Sequence, residues 1–185
     1  MGAQRGARGA AGGLARLSER LALNLAIISD THLPRGARRL PGACIDRLRA
    51  ADLIVHAGDF TQLPVLRELE TYGEVVAVHG NVDDGALRRL LPAATEVEIG
   101  GGVRVSVVHD AGPSRGRLGR LRRRFPAAAA VVFGHSHIPV HQQAEDGFQI
   151  FNPGSPTDRR RSPHHTMGVA TLADGAPRFE TIPLD

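Results

Sequence analysis

Five stretches of the sequence place metal-binding side chains directly after a short run rich in Val, Ile, Leu or Ala. They supply carboxylate, imidazole and amide groups but no thiolate. Such a donor set suits a hard or borderline divalent cation, and we expect Mn²⁺, with Fe²⁺, Zn²⁺, Mg²⁺ and Ni²⁺ as alternatives. The candidate ligands are Asp30, His32, Asp59, Asn81, His109, His135 and His137.

Each candidate also has an ordinary structural interpretation when it is taken alone. An isolated Asp-x-His sequence is common in surface loops, and Asp59 and Asn81 follow glycines, as turn residues often do. His109 could end a half-buried strand. The pair His135 and His137, two residues apart after Gly and an apolar run, is poorly explained by packing.

The donors are too numerous for a single ion that must also leave room for a substrate. We therefore predict two ions, about 3.5–4 Å apart as in other dinuclear sites. Asp30 and His32 are two residues apart, and on an extended segment their side chains would point to the same side. A carboxylate such as Asp59 has two oxygens and can bridge two cations.

The elements that must position these donors alternate between strand and helix in the first half of the chain. The sequence predicts strands over 23–30, 52–59 and 74–79, and helices over 41–51, 62–72 and 84–91. This order implies parallel pairing with right-handed crossovers. Ligands of such sheets collect beyond the carboxyl ends of the strands, where Asp30, Asp59 and Asn81 stand.

The second half of the chain is richer in strands. Strands are predicted over 95–99, 103–109, 129–133, 148–151, 166–172 and 178–183, and a strongly basic helix over 115–125. The first two strands flank three consecutive glycines and read as a hairpin. The picture is a two-layer β core flanked by helices, in the α/β class.

Length and composition bound the function. The chain has 185 residues, which predicts one domain over 23–185 after a flexible N-terminal extension over 1–22. It lacks an uncharged apolar stretch long enough to span a membrane, so we expect no membrane partner. A single cysteine, Cys44, excludes an internal disulfide and favours a reducing compartment, the cytoplasm.

The charge balance favours an anionic substrate. The formal net charge is +4, and every basic residue other than His is Arg, which indicates a genome-wide composition rather than a binding device. A basic surface attracts a phosphate-bearing small molecule. Nucleic acid is possible but not favoured, because aromatic residues for base stacking make up only 4% of the chain.

The order of these motifs resembles the calcineurin-like metallophosphoesterase superfamily. The short chain and its sequence Asn-Pro-Gly-Ser at 152–155 resemble the small single-domain bacterial and archaeal phosphodiesterase branch, over residues 23–184. The resemblance implies a four-layer α/β/β/α sandwich of two mixed β-sheets flanked by helices. It also implies hydrolysis of a phosphate ester, with a phosphodiester preferred, by in-line attack of a metal-bridging hydroxide.

The resemblance also implies a division of the ligands. One metal would take Asp30, His32, Asp59 and His137, and the other would take Asp59, Asn81, His109 and His135. Asp59 would bridge the two ions. The residues implied to act in catalysis are Asp59, Asn81, His109 and His135.

The chain departs from the family pattern at two positions. Val82 stands where many members carry a His that helps to protonate the leaving group, so leaving groups that need little protonation are expected. Asp83 then has no neighbouring His to orient, and we expect it to support the ligands. Asp110 follows His109 where Gly is usual, and the added carboxylate could either raise metal affinity or repel an anionic substrate.

Two other functions remain open at this point. The same fold serves as a protein-interaction scaffold in a membrane-trafficking complex, where the metal site has decayed. A nuclease would use the Arg-rich helix over 115–125. The sequence does not determine the physiological substrate or the oligomeric state.

Overall fold

The computed structural model describes residues 23–185, which form two five-stranded sheets with helices on their outer faces. The predicted extension over 1–22 lies outside the described residues. The helices are α1 (Gly42–Ala50), α2 (Leu63–Glu70), α3 (Gly85–Leu90) and α4 (Arg117–Arg124). The strands are β1 (Leu25–Ile28), β2 (Leu53–His56), β3 (Val75–Ala77), β4 (Ala94–Glu98), β5 (Arg104–Val108), β6 (Ala130–Val132), β7 (Val140–Gln143), β8 (Gln149–Asn152), β9 (Thr166–Ala173) and β10 (Ala176–Pro183).

The first sheet has the order β10-β9-β1-β2-β3. Strands β1, β2 and β3 are parallel, as their alternation with helices predicts, and Ile28 lies opposite His56, which lies opposite Ala77. Because this register aligns the three carboxyl ends, the loops that follow β1, β2 and β3 meet at one edge. Strand β9 then joins β1 antiparallel and makes the sheet mixed.

The second sheet has the order β4-β5-β6-β8-β7. The predicted hairpin is confirmed, with β4 antiparallel to β5, and β6 lies parallel to both β5 and β8. Strand β7 was not predicted from the sequence; it pairs antiparallel with β8 at the edge. Its three polar residues, His141, Gln142 and Gln143, are all exposed and carry no buried alternation that would have marked a strand.

Alternation along the strands builds three apolar layers. Leu25 and Ile27 of β1 face the second sheet, whereas Ala26 and Ile28 face the helices α1 and α2. A third cluster packs β5, β6 and β8 against Leu121 of α4. The four layers α/β/β/α are therefore confirmed.

The buried core consists mainly of Val, Ile, Leu and Ala side chains. Phe60, Phe133 and Phe151 are nevertheless among the largest fully buried side chains. Within residues 23–185 none of the helices has the length and apolar character needed to cross a bilayer.

Candidate metal centre

All seven predicted ligands lie in loops that leave the carboxyl ends of strands, and the structure brings their side chains together. The loop after β1 carries Asp30 and His32, and the loop after β2 carries Asp59. The loops after β3, β5 and β6 follow with the remaining donors. These are Asn81, His109, His135 and His137. Both sheets therefore contribute to one site at their common edge.

The backbone of this site is left-handed at five of the seven positions. Asp30 and His32 have φ of 56° and 46°, Asp59 has 63°, and His135 and His137 have 69° and 59°. Non-glycine residues rarely adopt such angles, and they concentrate at functional sites. Our expectation of an extended segment at Asp30 and His32 was wrong, because β1 ends at Ile28 and the chain turns there. The turn, not strand alternation, aims both side chains inward.

Two glycines make room for the donors. An added side chain at Gly80 would collide with the carboxylate and amide of Asp59, so the two loops can approach only with glycine there. Gly58 has φ of 90°, and a Cβ on it would lie 2.8 Å from His109 Nδ1. The close packing of the loops after β2 and β3 therefore depends on these two residues.

The first group of donors consists of Asp30, His32 and His137, whose ligand atoms all lie within 4.8 Å of one another. His137 Nε2 lies 3.4 Å from Asp30 Oδ1 and 3.1 Å from His32 Nε2. The Oδ2 atom of Asp59 lies 3.6 Å from His32 Nε2. Asp30, His32 and His137 are buried, with at most 3% of each residue exposed, so the donors face each other away from bulk water.

The second group surrounds Asn81. The Oδ1 atom of Asn81 lies 3.0 Å from His109 Nε2 and 3.0 Å from His135 Nδ1. The Oδ1 atom of Asp59 lies 3.4 Å from His109 Nε2. Asn81 and His135 are exposed, so this group opens to solvent. Asp59 therefore directs one oxygen toward each group.

The hydrogen bonds of the histidines determine which nitrogen faces the site. His109 Nδ1 lies 2.8 Å from the carbonyl oxygen of Ala57, and His137 Nδ1 lies 2.6 Å from that of Asp158. A carbonyl only accepts, so each Nδ1 carries the proton, and a neutral ring then presents a lone pair at Nε2. Ring lone pairs and carboxylate oxygens that lie this close together could hold a metal ion between them. This donor set fits divalent cations.

The electrostatics of the buried carboxylates agree with that requirement. Burial raises the pKa of Asp30 to about 7, despite a hydrogen bond from the Ser29 hydroxyl. Burial also acts to raise the pKa of Asp59, but the hydrogen bond with His109, together with the charge of that ring when it is protonated, outweighs burial and lowers the pKa of Asp59 to about 2. Burial lowers the pKa of His137 to about 4. Asp59 and His137 are thus held in the forms that bind metal.

A model of the calcineurin-like phosphoesterase superfamily domain matches residues 23–175 of the chain. The chain belongs to this superfamily. The match confirms the resemblance read from the five motifs, and it covers every candidate ligand.

Relatives of known sequence or structure agree with that assignment. A "Probable metallophosphoesterase" of Methanothermobacter thermautotrophicus is 37% identical over 136 residues, which is 72% of this chain and 77% of the relative. A Thermotoga maritima protein solved by solution NMR superimposes with a TM-score of 0.68 and 28% identity, over 87% of this chain and 99% of that one. Wild-type Vps29 from Entamoeba histolytica, solved in complex with Zn²⁺, has a TM-score of 0.66 and 21% identity, over 88% and 99% of the chains.

In this superfamily member Asp83 ties the loops of the site together. Its carboxylate accepts hydrogen bonds from the backbone N–H groups of Gly80 (2.7 Å), Thr61 (2.8 Å) and Asp59 (3.2 Å). Asp83 is 4% exposed, which makes these bonds hard to replace by water. The supporting role expected of Asp83 therefore consists of hydrogen bonds that connect the loops after β2 and β3, which we call loop anchoring.

The stretch 152–155 supports the loops that carry the candidate ligands. The hydroxyl of Ser155 donates to the carbonyl oxygen of Asp30 at 2.8 Å, and the amide of Asn152 donates to that of Gly134 at 2.8 Å. Asp158 was not predicted from the sequence; its carbonyl orients His137, and its carboxylate pairs with Arg38 at 2.8 Å. A backbone carbonyl that orients a histidine leaves no signal in the sequence, since every residue has a backbone carbonyl.

Two further histidines and the two positions that depart from the family pattern lie outside the ligand groups. His56 is fully buried and stacks on Phe60, with ring centroids 3.5 Å apart. His141 is exposed on β7. Val82, next to Asn81 in the chain, is 39% exposed. Its side chain is aliphatic and cannot donate a proton. Asp110 is exposed and accepts a hydrogen bond from the N–H of Gly112 at 2.7 Å.

Proposed function

We propose that the chain hydrolyses phosphate esters, with phosphodiesters favoured, at a centre that holds two divalent ions, Mn²⁺ foremost. The arrangement of Asp59 carries this proposal. Its two carboxylate oxygens face two separate donor groups, at 3.6 Å from His32 Nε2 and at 3.4 Å from His109 Nε2. A single-ion site would not need the second group.

The seven side chains divide the work of holding and orienting. Asp30, His32 and His137 would hold one ion in the buried half of the site, and Asn81, His109 and His135 would hold the other in the open half, with Asp59 shared. When bound, the ions would supply a water molecule of lowered pKa and would neutralise charge on the phosphoryl oxygens. Because the second group is open to solvent, substrate would enter beside it.

The leaving group is the point at which this chain differs from a general phosphatase. Attack by water forms a new P–O bond and breaks the ester P–O bond, and the departing oxygen must carry the charge or take a proton. Val82 cannot donate one. The chain should therefore prefer esters whose leaving group is stable as an anion, such as aryl phosphodiesters, over alkyl phosphomonoesters.

The deciding experiment measures turnover of bis-p-nitrophenyl phosphate with Mn²⁺. Asp59→Asn and His135→Ala should each lower kcat/KM at least about 100-fold, because each removes a donor from the site. His141→Ala is the matched control, since His141 is exposed on β7 and should leave activity unchanged. Undiminished turnover in both site variants would defeat the mechanism.

A protein-interaction scaffold is the second candidate, and the likeness to Vps29 brings it into consideration. At 21% identity that likeness shows the fold alone. The chain retains all seven donor side chains within residues 23–185, which supports an enzyme. Protein that binds Mn²⁺ with full stoichiometry and yet hydrolyses none of a panel of phosphodiesters would favour the scaffold instead.

A further inference from the structure

A cavity of about 330 Å³ opens directly beside the second donor group. Its lining includes Asn81 and His109 of the second donor group and the two arginines Arg88 and Arg124. Any group that is attached to a phosphorus held at Asn81 and His109 can therefore extend into a space with two guanidinium groups. Neither arginine belongs to the donor set described above.

Arg88 is held in place without losing its charge. Its guanidinium donates to the carbonyl oxygens of Asp83 at 2.9 Å and Asn81 at 2.6 Å. Carbonyl groups orient a guanidinium but do not neutralise it. Within residues 23–185 no carboxylate lies within ion-pair distance of Arg88.

Arg124 is the second cation of this cavity. It packs over the ring of Phe125, with 5.0 Å from its guanidinium carbon to the centroid, and the described chain offers it no carboxylate at ion-pair distance. The one carboxylate among the residues that line the cavity is Asp110, which already accepts the N–H of Gly112. The cavity thus has an excess of positive charge.

The basic lining continues away from the site. A neighbouring cavity of about 510 Å³ shares Asp110 and Arg124 with the first and adds Arg120 and Arg123. Arg120 donates to backbone carbonyls of the loop before α4, including that of Pro113 at 2.5 Å, and so braces that loop. The two cavities share the lining residues Asp110 and Arg124, and together they are called the basic groove below.

We propose that this groove binds a second phosphate group of the substrate, next to the phosphate that is attacked. The proposal rests on the hydrolase activity proposed above and narrows its substrate to compounds with at least two phosphate groups. Guanidinium groups pair with phosphate oxygens in charge-assisted hydrogen bonds. Two sources carry this chemistry: the diphosphate of a small nucleotide, and the next phosphate of a nucleic-acid strand.

Hydrolysis of a diphosphate would also need no proton donor at the position that Val82 occupies. Water forms a bond to one phosphorus as the P–O–P bridge breaks, and the bridging oxygen leaves on the second phosphate with the electron pair. The protons of the water pass to solvent. The departing phosphate keeps its negative charge, and the guanidinium groups of Arg88 and Arg124 would stabilise that charge. The leaving oxygen therefore needs no proton.

The test compares kcat/KM for substrates that do or do not carry the second phosphate, with Mn²⁺ present. The pair for the small-molecule source is P¹,P²-di(adenosine-5′) diphosphate against bis-p-nitrophenyl phosphate. The pair for the strand source is 5′-phosphorylated dithymidine monophosphate against its unphosphorylated form. In each pair, the preference ratio is kcat/KM for the substrate with the second phosphate divided by kcat/KM for the substrate without it. The pair in which this ratio exceeds one identifies the source, and the variants below are compared by that ratio.

Arg124→Gln should lower that ratio about 10- to 100-fold, because a hydrogen bond to a charged group is lost. Arg89→Gln is the matched control, since Arg89 lies on α3 beside Arg88 but does not line the cavity, and its ratio should equal that of the parent. Asp110→Asn should move the ratio the other way, because it removes the carboxylate that opposes phosphate. A ratio that Arg124→Gln leaves at the parent value in both pairs would overturn the proposal.

A binding measurement separates this proposal from the hydrolase activity itself. Methylenediphosphonate, which cannot be hydrolysed, is titrated by calorimetry into the metal-free protein and its Arg124→Gln variant. Weaker binding to the variant, by about tenfold, supports the groove even if every substrate is left intact, in which case only the hydrolase proposal fails. Equal affinity for the two proteins counts against the groove.

Discussion

The Oδ2 atom of Asp83 accepts a hydrogen bond from the backbone N–H of Asp59 at 3.2 Å, and thereby links the loop after β3 to the loop that carries the shared ligand. The same carboxylate also holds the N–H groups of Thr61 and Gly80. A buried side chain that satisfies three backbone donors determines where Asp59 points. The position of Asp59 therefore depends on Asp83, which is not itself a predicted ligand.

Replacing Asp83 should destabilise the protein more than replacing its neighbour. Asp83→Ala leaves three backbone N–H groups of the site without their acceptor and should lower the free energy of unfolding by about 3 kcal/mol. Asp84→Ala removes the N-cap of α3, which accepts from Ala86 and Leu87, and should cost about 1 kcal/mol. Denaturant titration of the metal-free proteins measures both. Equal losses in the two variants would contradict the loop-anchoring role.

The number of bound ions should reveal the shared ligand. Parent protein purified without chelator should bind two Mn²⁺ per chain. Asn81→Ala should weaken one of the two binding steps, whereas Asp59→Asn should weaken both, because its oxygens face both donor groups. Elemental analysis and calorimetric titration give the stoichiometry. A parent that binds a single ion at saturation would argue against a dinuclear centre.

The stability of the protein should fall in acid through His56. Burial lowers the pKa of His56 well below its ordinary value of 6.5, so the folded protein keeps this ring neutral while the unfolded chain takes up a proton. The stabilising contribution of the neutral ring is complete above pH 6.5 and decreases as the pH falls toward the folded-state pKa. The slope is about 1.4 kcal/mol per pH unit.

His56→Gln should remove that part of the pH dependence. We expect the variant to be less stable than the parent at pH 7.5, because the contacts of the ring with Thr31 and Phe60 are lost. Its loss of stability between pH 6.5 and 5 should nevertheless be smaller. Urea titrations at several pH values provide the curves, with His141→Gln as the exposed control. Parallel curves for parent and His56→Gln would show that another group is responsible.

A proton donor introduced at position 82 should widen the range of leaving groups. Val82 is 39% exposed beside Asn81, so Val82→His can be accommodated without disturbing the core. We expect an increase of about tenfold in kcat for alkyl phosphate esters, whose leaving oxygen needs a proton, and little change for p-nitrophenyl esters. Val82→Asn, polar but unable to act as a general acid near neutral pH, is the control. The same gain in Val82→Asn would indicate polarity rather than proton transfer.

The relation between sequence and structure differs among the parts of this site. The parallel order of β1, β2 and β3 could be predicted because strands and helices alternate along the chain and crossovers are right-handed. The ligand types could be predicted because Asp, Asn and His follow apolar runs. Strand β7 could not be predicted, since its residues are exposed and edge strands do not require a buried face.

Local sequence alone thus determined which chemical groups reach the edge of the sheets: oxygen and imidazole donors, without thiolate and without a proton donor at Val82. Only the folded chain decided how they are aimed. The left-handed turns at Asp30 and His32, the carbonyl that orients His137, and the cavity that Arg124 and Asn81 both line all arise from contacts between distant segments. Local sequence patterns reflect the conformational preferences of residues that are neighbours in the chain. The orientations of these side chains are instead set by packing between loops that come from both sheets.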